Sequence, residues 1–280
     1  MATKKATTST NKKAPAKASA KTSAAVTKTT VNTVSAPVKK QTLGEHVDGS
    51  LRSPRLWRAL AAEFIGTFLL ASIFVAGQGQ PIFVLFGLAG IVLLIGAISG
   101  GHINPAVTVA AWVTRRIGWL RALGYIFVQF LGAAVAYFAL HAFLGGATQP
   151  TAEQQMYGST AATLYQAVDI AKLTGKEWFV FFEELLGTAI LGFAIAAATR
   201  TTDSLTKAFT SGFGIFIALM TGLTIAGYAS ASSILNPAVA LTLQAYAPTV
   251  WAYAVYILAP VIGAVLGFII YDLVRGKNNA

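Results

Sequence analysis

The chain has 280 residues, of which 55% are hydrophobic and 11% charged, with a formal net charge of +11 and no cysteine. Ordinary soluble domains carry about a quarter charged residues, so this composition excludes a soluble globular protein, and the missing cysteine excludes disulfides, thiol chemistry and Cys-ligated metals. The charge does not point to nucleic acid either, because nine of the 21 Lys and Arg residues lie within the first 40 positions among Ala, Thr and Ser, with no aromatic residue between them.

That first stretch cannot bury enough apolar surface to offset its ordering entropy, and residues 1–50 read as a disordered basic tail. It lacks the apolar core of a secretory signal and is not expected to be a cleaved leader. The folded part is expected to occupy residues 51–280. An amphiphilic lead-in at 41–58 ends in Arg52, Arg55, Trp57 and Arg58, a basic cluster beside a Trp that suits a membrane interface.

Apolar spans follow at about 57–78, 81–98, 118–143, 178–199, 206–227 and 250–274, each near the 20 residues needed to cross a bilayer. Two shorter apolar segments, 104–113 and 236–246, stop at Arg115–Arg116 and at Pro248. Each reaches only about half of a ~30 Å hydrocarbon core. A half-span must be buried in protein or line a watery cavity, which points to a pore.

The basic loops at Arg115, Arg116 and Arg121, at Arg200 and Lys207, and at Arg275 and Lys277 fall on the same side as the tail. The positive-inside rule makes that side cytoplasmic, with both termini there. The long loop at about 144–177 falls on the other side, where Glu153, Asp169 and Glu177 outnumber Lys172 and Lys176.

The halves repeat. Glu63-x-x-Gly66-Thr67 matches Glu184-x-x-Gly187-Thr188, and Asn104-Pro105-Ala106-Val107 matches Asn236-Pro237-Ala238-Val239. Tyr125-x3-Gln129-x2-Gly132-Ala133 matches Tyr256-x3-Pro260-x2-Gly263-Ala264. Repeat 1 spans about 57–143 and repeat 2 about 178–274. Three spans per repeat is an odd number, so the second copy sits inverted and the two breaks meet near the midplane. The expected fold is an all-α membrane protein of six transmembrane helices and two re-entrant half-helices.

Asn is a preferred helix N-cap and Pro suits the first helical position, so each Asn-Pro pair starts a helix. Each start carries about half a positive elementary charge, and two starts aimed at one spot repel cations, hydronium included. The Asn104 and Asn236 amides can donate to a passing oxygen, which turns a water's hydrogens away and interrupts a proton wire.

The segment Ser99-Gly-Gly-His-Ile-Asn-Pro-Ala-Val-Thr108, with the second Asn-Pro-Ala and the paired Glu residues, resembles the aquaporin (major intrinsic protein) family over about 57–274. The resemblance implies a passive channel for water or small neutral solutes, with the Asn104-Pro105-Ala106 and Asn236-Pro237-Ala238 motifs at its constriction. It implies that Glu63 and Glu184 are buried acceptors holding the re-entrant loops, and that His102 tethers its loop rather than binding metal. Glu183, one residue before Glu184, is read as facing the interface. The family's selectivity filter maps by offset onto Val84, Thr224, Ser233 and Val239; the position of Val239 is usually Arg. Without that Arg, the filter is expected to be wider and less polar than in a strict water channel. The resemblance also implies a homotetramer in the plasma membrane, with no cofactor and no metal. The basic tail reads equally as solvated or as lying on anionic lipid. Two other classes stay open: a proton-coupled secondary transporter with Glu63 or Glu184 as carrier, and a poorly conducting scaffold. No nucleophile–base pair or phosphate loop supports an enzyme.

Overall fold

A computed structural model describes residues 42–144, 151–157 and 164–276. The stretch 1–41 of the basic tail and Lys277 lie outside the described residues. The expected boundary near residue 50 shifts: residues 43–50, assigned to a disordered tail, belong to helix α1 (Leu43–Leu51). Leu43, Val47 and Leu51 recur at helical spacing, giving this segment an apolar stripe. Asp48 pairs with Arg52 at 2.9 Å, and Trp57 Nε1 donates to Leu51 O at 2.7 Å, tying α1 to the next helix.

Helices α2 (Pro54–Ala76) and α3 (Pro81–Ser99) each begin with Pro at the first helical position, where the missing N–H costs nothing. The half-helix α4 (Pro105–Val113) precedes α5 (Trp119–Leu144). After the short α6 (Ala152–Met156) and a 3-10 turn (Ile170–Lys172), the second set follows. It comprises α7 (Glu177–Ala198), α8 (Ser204–Ala229), the half-helix α9 (Pro237–Thr242), α10 (Val250–Tyr253) and α11 (Ala259–Arg275). Among the described residues six helices are long and apolar enough to cross a membrane, α10 and α11 together forming the sixth. Apolar side chains such as Phe86, Phe127, Phe138 and Phe182 stay exposed around the outside, as a hydrocarbon solvent allows. The chain is a multi-pass membrane protein.

α10 joins α11 through a π-helical turn, Ala254–Leu258. Pro260 has no N–H to give to the Tyr256 carbonyl four residues back, while the nearby Tyr246 hydroxyl donates to Pro237 O at 2.7 Å. The second half-helix is shorter than the expected 236–246. It ends at Thr242 because Gln244 adopts φ +57° and Ala245 N reaches back to Ala240 O at 2.9 Å.

The repeats pack alike. α2 lies on α5 and α7 on α11, while α3 and α8 join the halves. Each contact is close enough to require glycine. A Cβ on Gly132 would strike Phe64 O and come within 3.2 Å of Phe68 N; one on Gly263 would strike Leu185 O and come within 3.0 Å of Ala189 N. At the α3–α8 contact a Cβ on Gly212 would sit 2.7 Å from Leu85 O. Backbones this near gain dispersion along the whole crossing, the driving force that remains when lipid and side chain are equally apolar. The half-helices are exchanged between repeats: α4 packs on α11, and α9 packs on α5 and α2.

Beyond α4, Arg116 binds the second repeat. Its guanidinium donates to Ala196 O at 3.0 Å and to the Thr199 hydroxyl, pairs with Asp272 at 2.7 Å, and lies 4.7 Å over the Phe268 ring. Arg200 shares the same carboxylate at 3.1 Å.

Gly263→Leu is therefore expected to force α7 and α11 apart, costing about 1–3 kcal/mol or more through overpacking. Its thermal unfolding temperature in detergent should fall by several degrees. Gly90→Ala, inside α3 where the new Cβ meets nothing within 4 Å, should hold that temperature or raise it slightly, since Ala favours a helix interior over Gly.

Candidate functional site

The re-entrant loops that carry the half-helices set up the site. The first turns at Gly100 (φ +103°) and Gly101 (φ +70°), which an L side chain would strain. The residue before each Asn is also left-handed, Ile103 at φ +40° and Leu235 at φ +60°. For residues with bulky side chains this is unusual and must be held by the surroundings. Gly66 leaves room for Ile103, and Gly187 for Leu235; a Cβ on either would stand 2.5 Å from the opposing side chain.

Two buried carboxylates hold these loops. Glu63 Oε1 accepts from His102 N at 2.9 Å and Oε2 from Ile103 N at 2.6 Å. Glu184 Oε1 accepts from Ile234 N at 2.7 Å and Oε2 from Leu235 N at 2.8 Å. Both residues are fully buried. Loop amides at membrane depth have no water to donate to, and the two oxygens of one carboxylate meet two successive N–H groups.

The halves then diverge. Gln129 donates to Glu63 Oε2 at 2.8 Å and to Thr108 Oγ1 at 2.9 Å. His102 Nδ1 lies 3.3 Å from Thr108 Oγ1, and its ring stands edge-on to Tyr125 at 5.4 Å. Tyr125 Oη donates to Ser99 O at 2.6 Å. In the second half Pro260, Ala240 and Ile234 stand where Gln129, Thr108 and His102 stand in the first, and the Tyr256 hydroxyl has no partner within the protein.

Asn104 and Asn236 are brought together as the repeat implies. Asn104 Oδ1 caps α4 by accepting from Ala106 N at 2.9 Å, and Asn236 Oδ1 caps α9 by accepting from Ala238 N at 3.0 Å. Each amide nitrogen crosses to the other loop. Asn104 Nδ2 donates to Leu235 O at 2.8 Å, and Asn236 Nδ2 to Ile103 O at 3.0 Å. One of the two N–H groups on each amide is thereby spent, and the second is uncommitted among the described residues. Pro105, Ala106, Pro237 and Ala238 are buried at the junction.

Of the four positions assigned to a filter, Val84 and Val239 are fully buried and Ser233 is buried with its hydroxyl beside the Glu183 carboxyl. Thr224 does not belong with them. It is exposed on the outer side of α8 beside Met220 and Thr221, and its hydroxyl donates to Met220 O at 3.0 Å within its own helix. The inward stripe of α8 runs through Leu219, Gly222 and Ala226. A residue two places from Gly222 is turned about 200° away from it. The offset from Asn236 presumed a loop length that this chain does not have between α8 and α9.

Glu183 also departs from expectation. It is fully buried rather than interfacial, and among the described residues no backbone N–H serves its oxygens, while the Ser233 hydroxyl lies beside it. Its carboxylate lies over Gly222, and a Cβ there would strike Glu183 Oε1 and sit 2.5 Å from Ser233 Oγ. The space that Gly222 leaves is thus taken by a carboxylate, so this corner is filled and polar rather than wide and apolar. A signal was available in the sequence: two adjacent glutamates in an apolar span, of which one helix face can turn only one toward the loop amides. The outer loop closes over the same side, where Ala167 N donates to Leu243 O at 2.9 Å and Val168 N to Ser232 Oγ at 3.2 Å.

The sequence matches the major intrinsic protein family model over residues 50–271. It is 35% identical over 224 residues to a glycerol uptake facilitator protein-like 6 of Lactiplantibacillus plantarum, covering 75% of this chain and 94% of that protein. It is 30% identical over 244 residues to an aquaporin NIP3-1 of Zea mays, covering 80% of this chain and 72% of the relative. The X-ray structure of the aquaglyceroporin from Plasmodium falciparum shares the fold, with a TM-score of 0.58 at 23% identity over 79% of this chain and 97% of that one.

Glu63→Gln replaces one acceptor oxygen with an NH2 facing a backbone N–H, and each lost bond to a charged group costs about 1.5–3 kcal/mol. The variant should unfold at lower temperature in detergent and lose flux in proportion to folded protein. Full stability with flux alone abolished would instead mark Glu63 as a carrier.

Proposed function

The chain belongs to the major intrinsic protein family, whose members are channels rather than enzymes, and from that premise we infer that it passes water and small neutral solutes while excluding ions and protons. The observation that carries this reading is the crossed pair of Asn amides. Each caps one half-helix, donates to the opposite loop, and keeps one N–H in reserve. A molecule at this junction meets two donors and two positive helix starts. A neutral oxygen is received there, and a cation is repelled. A water bonded through its oxygen to both amides presents its hydrogens outward on both sides, so no proton can pass along an unbroken file.

Solutes larger than water are included because Val239 stands where related channels usually carry Arg, and valine brings neither charge nor donors to the wall. Similarity both to a glycerol uptake facilitator protein-like 6 and to an aquaporin supports that breadth. Both termini are proposed to face the cytoplasm of a plasma-membrane protein, consistent with Arg115, Arg116 and Arg200 gathering on the same side. A homotetramer with one pore per subunit, and contact of the basic tail with anionic lipid, belong to the same proposal.

Stopped-flow light scattering on proteoliposomes tests it. Water, glycerol and urea should each cross faster than in protein-free vesicles, with a low activation energy. Val239→Arg should cut glycerol passage more than water passage. Saturable, gradient-driven uptake would favour a transporter, and vesicles no leakier than the controls would favour a scaffold.

A further inference from the structure

Glu183 has a role that the loop-anchoring scheme does not supply. Its neighbour Glu184 spends both oxygens on loop amides, whereas among the described residues the buried Glu183 oxygens accept from no backbone N–H and have the Ser233 hydroxyl beside them. The ion pairs of the described residues include Arg116 and Arg200 with Asp272 and Arg52 with Asp48, none of which reaches it. A buried carboxyl that no backbone amide serves is costly to keep and calls for a further partner. Ser233, three residues before Asn236, places its hydroxyl beside that carboxyl. Gly222 makes room for both groups, which border the point where its Cβ would be.

We propose that Glu183 and Ser233 form a solute-recognition site in the wall of the permeation path, taking small planar solutes with paired N–H donors, the urea class. The proposal rests on the channel reading above. When ionised, the Glu183 carboxyl accepts two parallel N–H bonds from a planar N–C–N fork, a geometry that polyols do not match. Ser233 Oγ adds a group that can accept from or donate to the same solute. Guanidinium carries the same fork with a full charge. It fits the carboxylate but meets the positive start of α4 beyond it, so it should lodge and block.

The test measures urea, glycerol and water permeability of proteoliposomes bearing wild type, Glu183→Gln or Glu183→Leu. The urea-to-glycerol ratio should fall about tenfold in both variants, the scale of one charge-assisted hydrogen bond. An unchanged ratio alongside retained water flux overturns the site while leaving the channel intact. Wild-type vesicles impermeable to all three overturn the channel reading itself and the site with it. Should the variants fail to fold, guanidinium chloride on wild type decides. Millimolar guanidinium, against equal sodium chloride, should slow urea and water; no slowing overturns the proposal.

Discussion

A backbone N–H inside a membrane has no water to bond to, and a chain that turns back halfway across must supply an acceptor for each amide the turn exposes. In this protein that demand falls on two side chains, Glu63 and Glu184, each placed one helix away from the loop it serves. The loops in turn fix the Asn caps, the left-handed residues before them, and the glycines that make way for Ile103 and Leu235. Burying a carboxylate is costly by itself. The pairing is favourable because carboxylate and amides offset each other's loss of water.

The repeats share this device but not its surroundings. In the first, Gln129, Thr108 and His102 extend the carboxylate into a network that spans α2, α4 and α5. In the second, Pro260, Ala240 and Ile234 remove those partners, and the polar capacity reappears one residue earlier, at Glu183. Duplication conserved what the membrane enforces and let the rest drift. On the proposal above, Glu183 makes the pore wall polar from α7, a helix that carries none of the four filter positions assigned from the sequence.

Much of this was legible in the sequence, because its strongest signals come from the solvent. Apolar spans of the right length, half-spans that could not cross, and matched Asn-Pro starts each follow from what hydrocarbon permits, and the six spans lie within about three residues of their expected ends. The errors share a cause as well. Thr224 was placed by counting through a loop whose length is not set by any membrane constraint, and helix phase then turned it outward. Glu183 was placed by general aversion to burying charge, which cannot tell which of two adjacent carboxyls has the inward azimuth. The α1 helix was absorbed into the tail because composition averages over residues 1–50 and hides the spacing of Leu43, Val47 and Leu51.

The crossed Asn bonds also have a bearing on how the chain is made. Asn104 and Leu235 are 131 residues apart, and Ile103 and Asn236 are 133 apart. At ribosomal speeds of about 5–20 residues per second, the first loop waits roughly 7–25 s for its partner to be synthesised. Until then its cap donor and the Ile103 carbonyl have no mate, and α4 lacks α11 to lie against. The first half cannot be finished as a unit while the nascent chain is still emerging. Its re-entrant segment must shelter in the insertion machinery or stay at the headgroup level, and the junction closes only when the last helix enters the bilayer.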